Sequence, residues 1–122
     1  MGEDVNLWQF RDTAGHTAGT DLIGFHVEAV DGSVGKVDKL SEEVGSQYLV
    51  VDTGPWIFGR LVLLPAGTVI RVEIGEKTVY IDRTKDEIKE SPTMGAAESD
   101  LGPDFRDRYA LYYAPFYGGR FY

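Results

Sequence analysis

The chain of 122 residues contains no cysteine, which excludes disulfides, thiolate metal sites and cysteine nucleophiles together. Histidine is scarce, limited to His16 and His26, whereas metal sites gather three or four converging ligands. Neither a metal nor a cofactor is therefore expected. Long apolar runs are missing too. The longest, Leu61 to Ala66, is of strand length, far short of the ~18 residues a membrane-crossing helix needs. Positive charge is in deficit: 12 Lys and Arg against 20 Asp and Glu give a net charge of −8. That field repels phosphate and argues against a nucleic-acid partner; only Lys36, Lys39, Arg60 and Arg71 offer a local basic patch against it. The opening MGEDVNLWQF lacks a basic stretch leading into an apolar one, so no signal peptide and a cytoplasmic location are expected.

Catalytic groupings are equally thin. Ser33, Ser41, Ser46, Ser91 and Ser99 lie in no nucleophile-elbow context. GSVGK, Gly32 to Lys36, faintly resembles a phosphate loop, but Val37 stands where Ser or Thr belongs and a strand follows in place of a helix. A hairpin turn explains it. The neighbouring carboxylates Glu42-Glu43 and Asp86-Glu87 read as surface charge. His16 falls in a flexible run, and His26 reads as a solvated strand histidine. No enzyme is expected.

What is present is a succession of short strand-like runs between Asp21 and Asp82. Hydrophobic residues make up 43% and charged residues 26% of the chain, near globular averages. Leu22 to Val30 alternates with Ile23, Phe25, Val27 and Ala29 on one side, and Gly24 suggests a bulge. Asp31-Gly32 marks a hairpin, and the returning strand brings Val34 and Leu40 toward the apolar layer. SEEVGSQ reads as an acidic connector to YLVVDT, whose continuous apolar character fits a strand covered on both faces. GPWIFGR is a turn carrying Trp56 and Phe58. LVLLP ends at Pro65, which cannot donate to a ladder. TVIRVEI and TVYIDR form a hairpin around GEK. Six short strands in so little chain predict a mainly β fold: a small, strongly bent β-barrel.

Four segments follow. Residues 1–20 form an N-terminal arm in which Trp8 and Phe10, two apart, cover a barrel opening from one face of an extended stretch. Residues 21–92 form the barrel domain, closed by a short helix that Thr84 and Glu87 cap at box spacing and Pro92 stops. Residues 93–103 are a linker. Residues 104–122 are an aromatic tail with a helix from Asp104 to about Tyr113, ended by Pro115 and Gly118-Gly119. Its rings, Phe105, Tyr109, Tyr112, Tyr113, Phe116, Tyr117, Phe121 and Tyr122, are too dense for a passive tail. Interleaved Arg106, Arg108 and Arg120 add to an interface-like composition. The tail either folds back on its own barrel or docks on another chain.

The run DLIGFHVEAVDGSVGKVDKL, then YLVVDTG, LLPAGTVIRV and VYIDRTKDEIKESP, resembles the PRC-barrel family. The shared features are Gly-x-x-Val at Gly24 to Val27, DG-x-x-GKV at Asp31 to Val37, the strand-end Pro65 and the closing helix before Pro92. The family's barrel occurs in the cytoplasmic domain of the photosynthetic reaction-centre H subunit and the C-terminal domain of a ribosome maturation factor. The resemblance implies an adaptor that binds macromolecules through barrel edges and loops, with no catalytic residues to carry over. The resulting expectation is a soluble protein that binds protein partners or forms a homodimer or larger homo-oligomer. Its candidate contacts are Trp56, Phe58, Phe105, Tyr109, Tyr112, Tyr113, Phe116, Tyr117 and Phe121. The alternative is a small-ligand or cofactor carrier with Trp56, Phe58 and Tyr80 at the barrel mouth.

Overall fold

The computed structural model describes residues 6–16, 19–43, 45–54, 60–92 and 105–117. The apolar runs form β1 (His26–Ala29), β2 (Gly32–Glu43), β3 (Ser46–Asp52), β4 (Leu61–Pro65), β5 (Val69–Glu73) and β6 (Thr78–Ile81), followed by α1 (Lys85–Lys89) and α2 (Phe105–Tyr113). The strands make one sheet in the order β4-β3-β2-β1-β6-β5. Neighbours are antiparallel except β1 and β6, which run parallel. The two edge strands are consecutive in the chain, joined by the 3-10 turn Ala66–Thr68. The sheet therefore curls round until its ends meet at that turn, without a β4–β5 ladder.

Bulges supply the curl. Val34, Asp38 and Ile70 each lack a partner in the register, and an extra residue bends a strand and steepens its twist. Two of the three fall in β2, which in this way serves both β1 and β3. The interior is filled by Val27, Val34, Val37, Leu49, Val51, Val62, Leu64, Val69, Val79 and Ile81, all nearly inaccessible. Leu49, Val50 and Val51 are buried in succession, as a strand covered on both faces requires.

Several local expectations are corrected. The first strand begins only at His26, because Gly24 takes φ +87° in a turn closed by Phe25 N–H on Leu22 O. That turn buries Leu22 and leaves Ile23 48% exposed, the reverse of the alternation. Gly24 makes the turn, and the β1–β2 bulge lies further on, at Val34. The first hairpin turns at Val30-Asp31, since Ala29 already pairs with Gly32. Most of the acidic connector is strand: Ser41 to Glu43 pair with Ser46 to Tyr48. In the last hairpin the bulge at Ile70 breaks the period, so Val69 and Val72 face inward while Ile70 and Ile74 are exposed.

α1 starts as its spacing dictates. Thr84 Oγ1 accepts from Glu87 N–H, and Glu87 Oε1 accepts from Thr84 N–H at 2.9 Å. Its one buried side chain, Ile88, joins the core.

Candidate functional site

The appended segments seal the curled sheet. At the N-terminal side, Leu7, Trp8 and Phe10 are buried in a turn, not an extended stretch, closed by Gln9 N–H on Asn6 O. Leu7 O accepts from Gly67 N–H and Trp8 O from Gln47 N–H. Gly67 has to be glycine, since a Cβ there would stand 2.6 Å from Asn6 O. The 3-10 turn Asp12–Ala14 then packs against β5. His16, read as part of a flexible run, is fixed: it stacks on Phe10 at 3.9 Å between centroids, and its Nε2 lies 2.9 Å from Glu42 Oε2.

At the other edge α2 and the 3-10 turn that follows it, Ala114–Tyr117, are held at four places. Arg106 donates to Gly45 O, Tyr113 to Leu63 O of β4, Tyr112 to Glu87 O of α1, and Tyr117 to Asp82 Oδ1. Arg60 further ties the start of β4 to the carbonyls of Lys89 and Ser91. Tyr109 and Tyr113 are fully buried. Expected at a partner surface, they instead belong to the core of their own chain, because docking the helix along its 109/113 face is what covers β4. Burial pushes the Tyr113 hydroxyl above its ordinary range. The Tyr117 hydroxyl is also raised, by burial first and then by its bond to the Asp82 carboxylate.

Asp82 is where the two terminal segments meet. Arg11 Nη2 approaches Asp82 Oδ2 at 2.7 Å, Tyr117 binds the other oxygen, and the Arg83 guanidinium lies 4.5 Å from the Phe116 ring centre. This junction was not legible in the sequence, since Arg11 and Asp82 are 71 residues apart. Tyr112, Phe116 and Tyr117 are partly exposed. Of Phe105 only the helical backbone is described; Trp56, Phe58 and Phe121 lie outside the described residues.

Two open surfaces among the described residues bear on function. One is the outward side of the β5–β6 hairpin, where Ile70 and Ile74 are 40% and 52% exposed. Between them Arg71 pairs with Glu73 at 3.0 Å and lies over Tyr80 at 4.3 Å. Tyr80 donates to Glu76 Oε1, a bond that raises its hydroxyl pKa. The second is a cleft of about 580 Å³ lined by His26, Ser33, Val34, Gly35, Lys36, Asp52, Thr53 and Gly54. Tyr80 is not among its walls, and Trp56 and Phe58, expected with it at a ligand mouth, lie outside the described residues.

The four basic residues weighed as a local patch are dispersed. Lys36 and Lys39 are on β2, Arg71 is on β5 beyond β1 and β6, and Arg60 is engaged with backbone carbonyls. Among the described residues no three His, Asp or Glu side chains are grouped to hold a metal ion, and no helix is long and apolar enough to cross a membrane.

No family model matches the sequence, and no curated protein matches it. Among solved structures, a protein named for 16S ribosomal RNA processing, RimM of Pseudomonas aeruginosa, is similar over part of its length. It is 25% identical, with a TM-score of 0.46, and the match covers 53% of this chain and 42% of that one. The chain thus spans less than half the length of that protein.

Proposed function

We propose that the protein is a non-enzymatic adaptor that binds other proteins, and that its first partner is a second copy of itself. The carrying observation is the segment Ile70-Arg71-Val72-Glu73-Ile74. It reads alike in both directions: an apolar residue at each end, opposite charges inside, and a valine at the centre. A two-fold axis at Val72 sets Arg71 opposite Glu73 of the second copy and Ile70 opposite Ile74, the self-complementarity an isologous contact requires. Ile70 and Ile74 are exposed apolar side chains, and the Arg71–Tyr80 pair supplies residue types enriched in interfaces.

This reading moves the contact from the barrel edges to the sheet's outer face. The arm and α2 already lie along β5 and β4, as natural sheets protect their edges. In the tail, Tyr112, Phe116 and Tyr117 remain as a secondary contact for a different protein. Light scattering at about 50 µM tests the proposal; interfaces built on a few anchors dissociate when those are replaced by charge. The wild-type chain is expected at twice its 13.5 kDa mass, and Ile70→Asp combined with Ile74→Asp as a monomer with an unchanged fold. A wild-type monomer at that concentration overturns self-pairing.

A further inference from the structure

We propose that the cleft between β1, β2 and β3 binds a small apolar molecule carrying one anionic group. The proposal does not rest on the adaptor reading, since the cleft is formed by different strands from the β5–β6 face.

A single register row crosses the sheet here. His26 pairs with Lys36, and Lys36 with Asp52. Side chains of directly paired residues share a face and stand about 5 Å apart, and all three are exposed on the outward side. Below them the floor is apolar and close to the backbone. Val34 sits in the β2 bulge, and beside it Gly35 lets β2 approach Asp52 so closely that a Cβ would lie 2.0 Å from the Asp52 carbonyl. The resulting space, about 580 Å³, falls among small-molecule sites, which run roughly 300–1,000 Å³ with few polar groups on apolar walls.

The polar groups at the rim are not equivalent. Asp52 Oδ1 already accepts from Gly54 N–H at 2.9 Å, and Thr53 Oγ1 donates to Arg60 O. Lys36, although paired in register with Asp52, makes no ion pair with it or with any other described residue, and the His26 ring has no described hydrogen-bond partner. The unspent groups are thus the Lys36 ammonium and the His26 imidazole, side by side, with the second oxygen of Asp52 beyond Lys36, in a chain with a net charge of −8. A carboxylate, sulfonate or phosphate satisfies them through charge-assisted hydrogen bonds. The apolar body of the ligand then lies over the close-packed glycine backbone at Gly35 and Gly54.

The test uses 8-anilinonaphthalene-1-sulfonate on the folded, full-length protein. Its fluorescence is expected to rise saturably with one site per chain. Lys36→Met, which keeps the stem and removes the charge, is expected to weaken binding about tenfold; Lys39→Met, three residues past the cleft wall on the same strand, is not. Both 1-naphthoate and 1-naphthyl phosphate are expected to displace the probe, and inorganic phosphate is not. Amide NMR of the wild type, independent of any variant's folding, is expected to show naphthoate shifting Gly35, Lys36 and Gly54. Equal affinity in Lys36→Met, displacement by inorganic phosphate, or shifts centred on α2 or the arm overturns the proposal.

Discussion

Gly35 and Tyr113 show how much of this fold depends on single atoms. At Gly35 the backbone is at φ +154° and the space for a Cβ is already filled by the Asp52 carbonyl at 2.0 Å. Gly35→Ala is expected to cost roughly 3 kcal/mol through combined strain and overpacking, read as a lower urea midpoint. Gly24→Ala, at φ +87° with open space around it, should cost only about 1–2 kcal/mol. Tyr113, together with Tyr117, contributes to behaviour in alkali. Its folded hydroxyl is raised above the ordinary 10.0 by burial, so below that pH both states keep the proton and no stability is lost. Above it the unfolded chain releases a proton that the folded chain retains, and stability falls as pH rises. Melting temperature measured from pH 8 to 11 should therefore decline above pH 10, and less steeply in Tyr113→Phe. That variant loses about 1 kcal/mol at neutral pH because Leu63 O loses its donor. At this scale the sequence marked glycines as special, and the neighbours that made them so lay on strands it had not yet placed.

Elements were most legible where their signal is local. The α1 capping box is contained within Thr84 to Glu87, and the strand end at Pro65 follows from a missing donor. Thr84→Ala is expected to cost about 1 kcal/mol, measurable by urea denaturation, because a five-residue helix has little stability beyond its cap and Ile88. Bulges were the least legible. A bulge at Ile70 is invisible in a segment that alternates well by eye, since the extra residue is defined by the partner strand and not by its own neighbours. The same holds for the tail. Tyr109 and Tyr113, four apart, fall on one stripe of any helix, but which surface covers that stripe depends on the path of the chain between barrel and helix. Neither the Asp82 junction nor the His16–Glu42 contact carries any short-range pattern. The rim of the cleft, His26, Lys36 and Asp52, likewise became a site only once β1, β2 and β3 were in register.

For the molecule as a whole, barrel and tail share one hydrophobic cluster that runs from Leu7 to Tyr113. A chain ending at Pro92 would lose two fully buried tyrosines, on the order of 5 kcal/mol by comparison with large-to-small core substitutions, against a total stability of roughly 5–15 kcal/mol. Its cooperative melting transition is expected to collapse, whereas Leu111→Ala, at a side chain 68% exposed on the same helix, should leave it within about 0.5 kcal/mol. The parallel seam between β1 and β6 has a kinetic consequence. β1 to β4 form a meander and β5 to β6 a hairpin, each assembled from contacts near in sequence. The pairs from His26–Thr78 to Glu28–Tyr80, continued by Val30 N–H on Arg83 O, zip the sheet's two halves together. Closing so long a loop has to precede any gain from that pairing, which slows folding. Docking of hairpin onto meander is thus the natural late step on the pathway, and the speed at which this protein folds is written in three residues of its shortest strands.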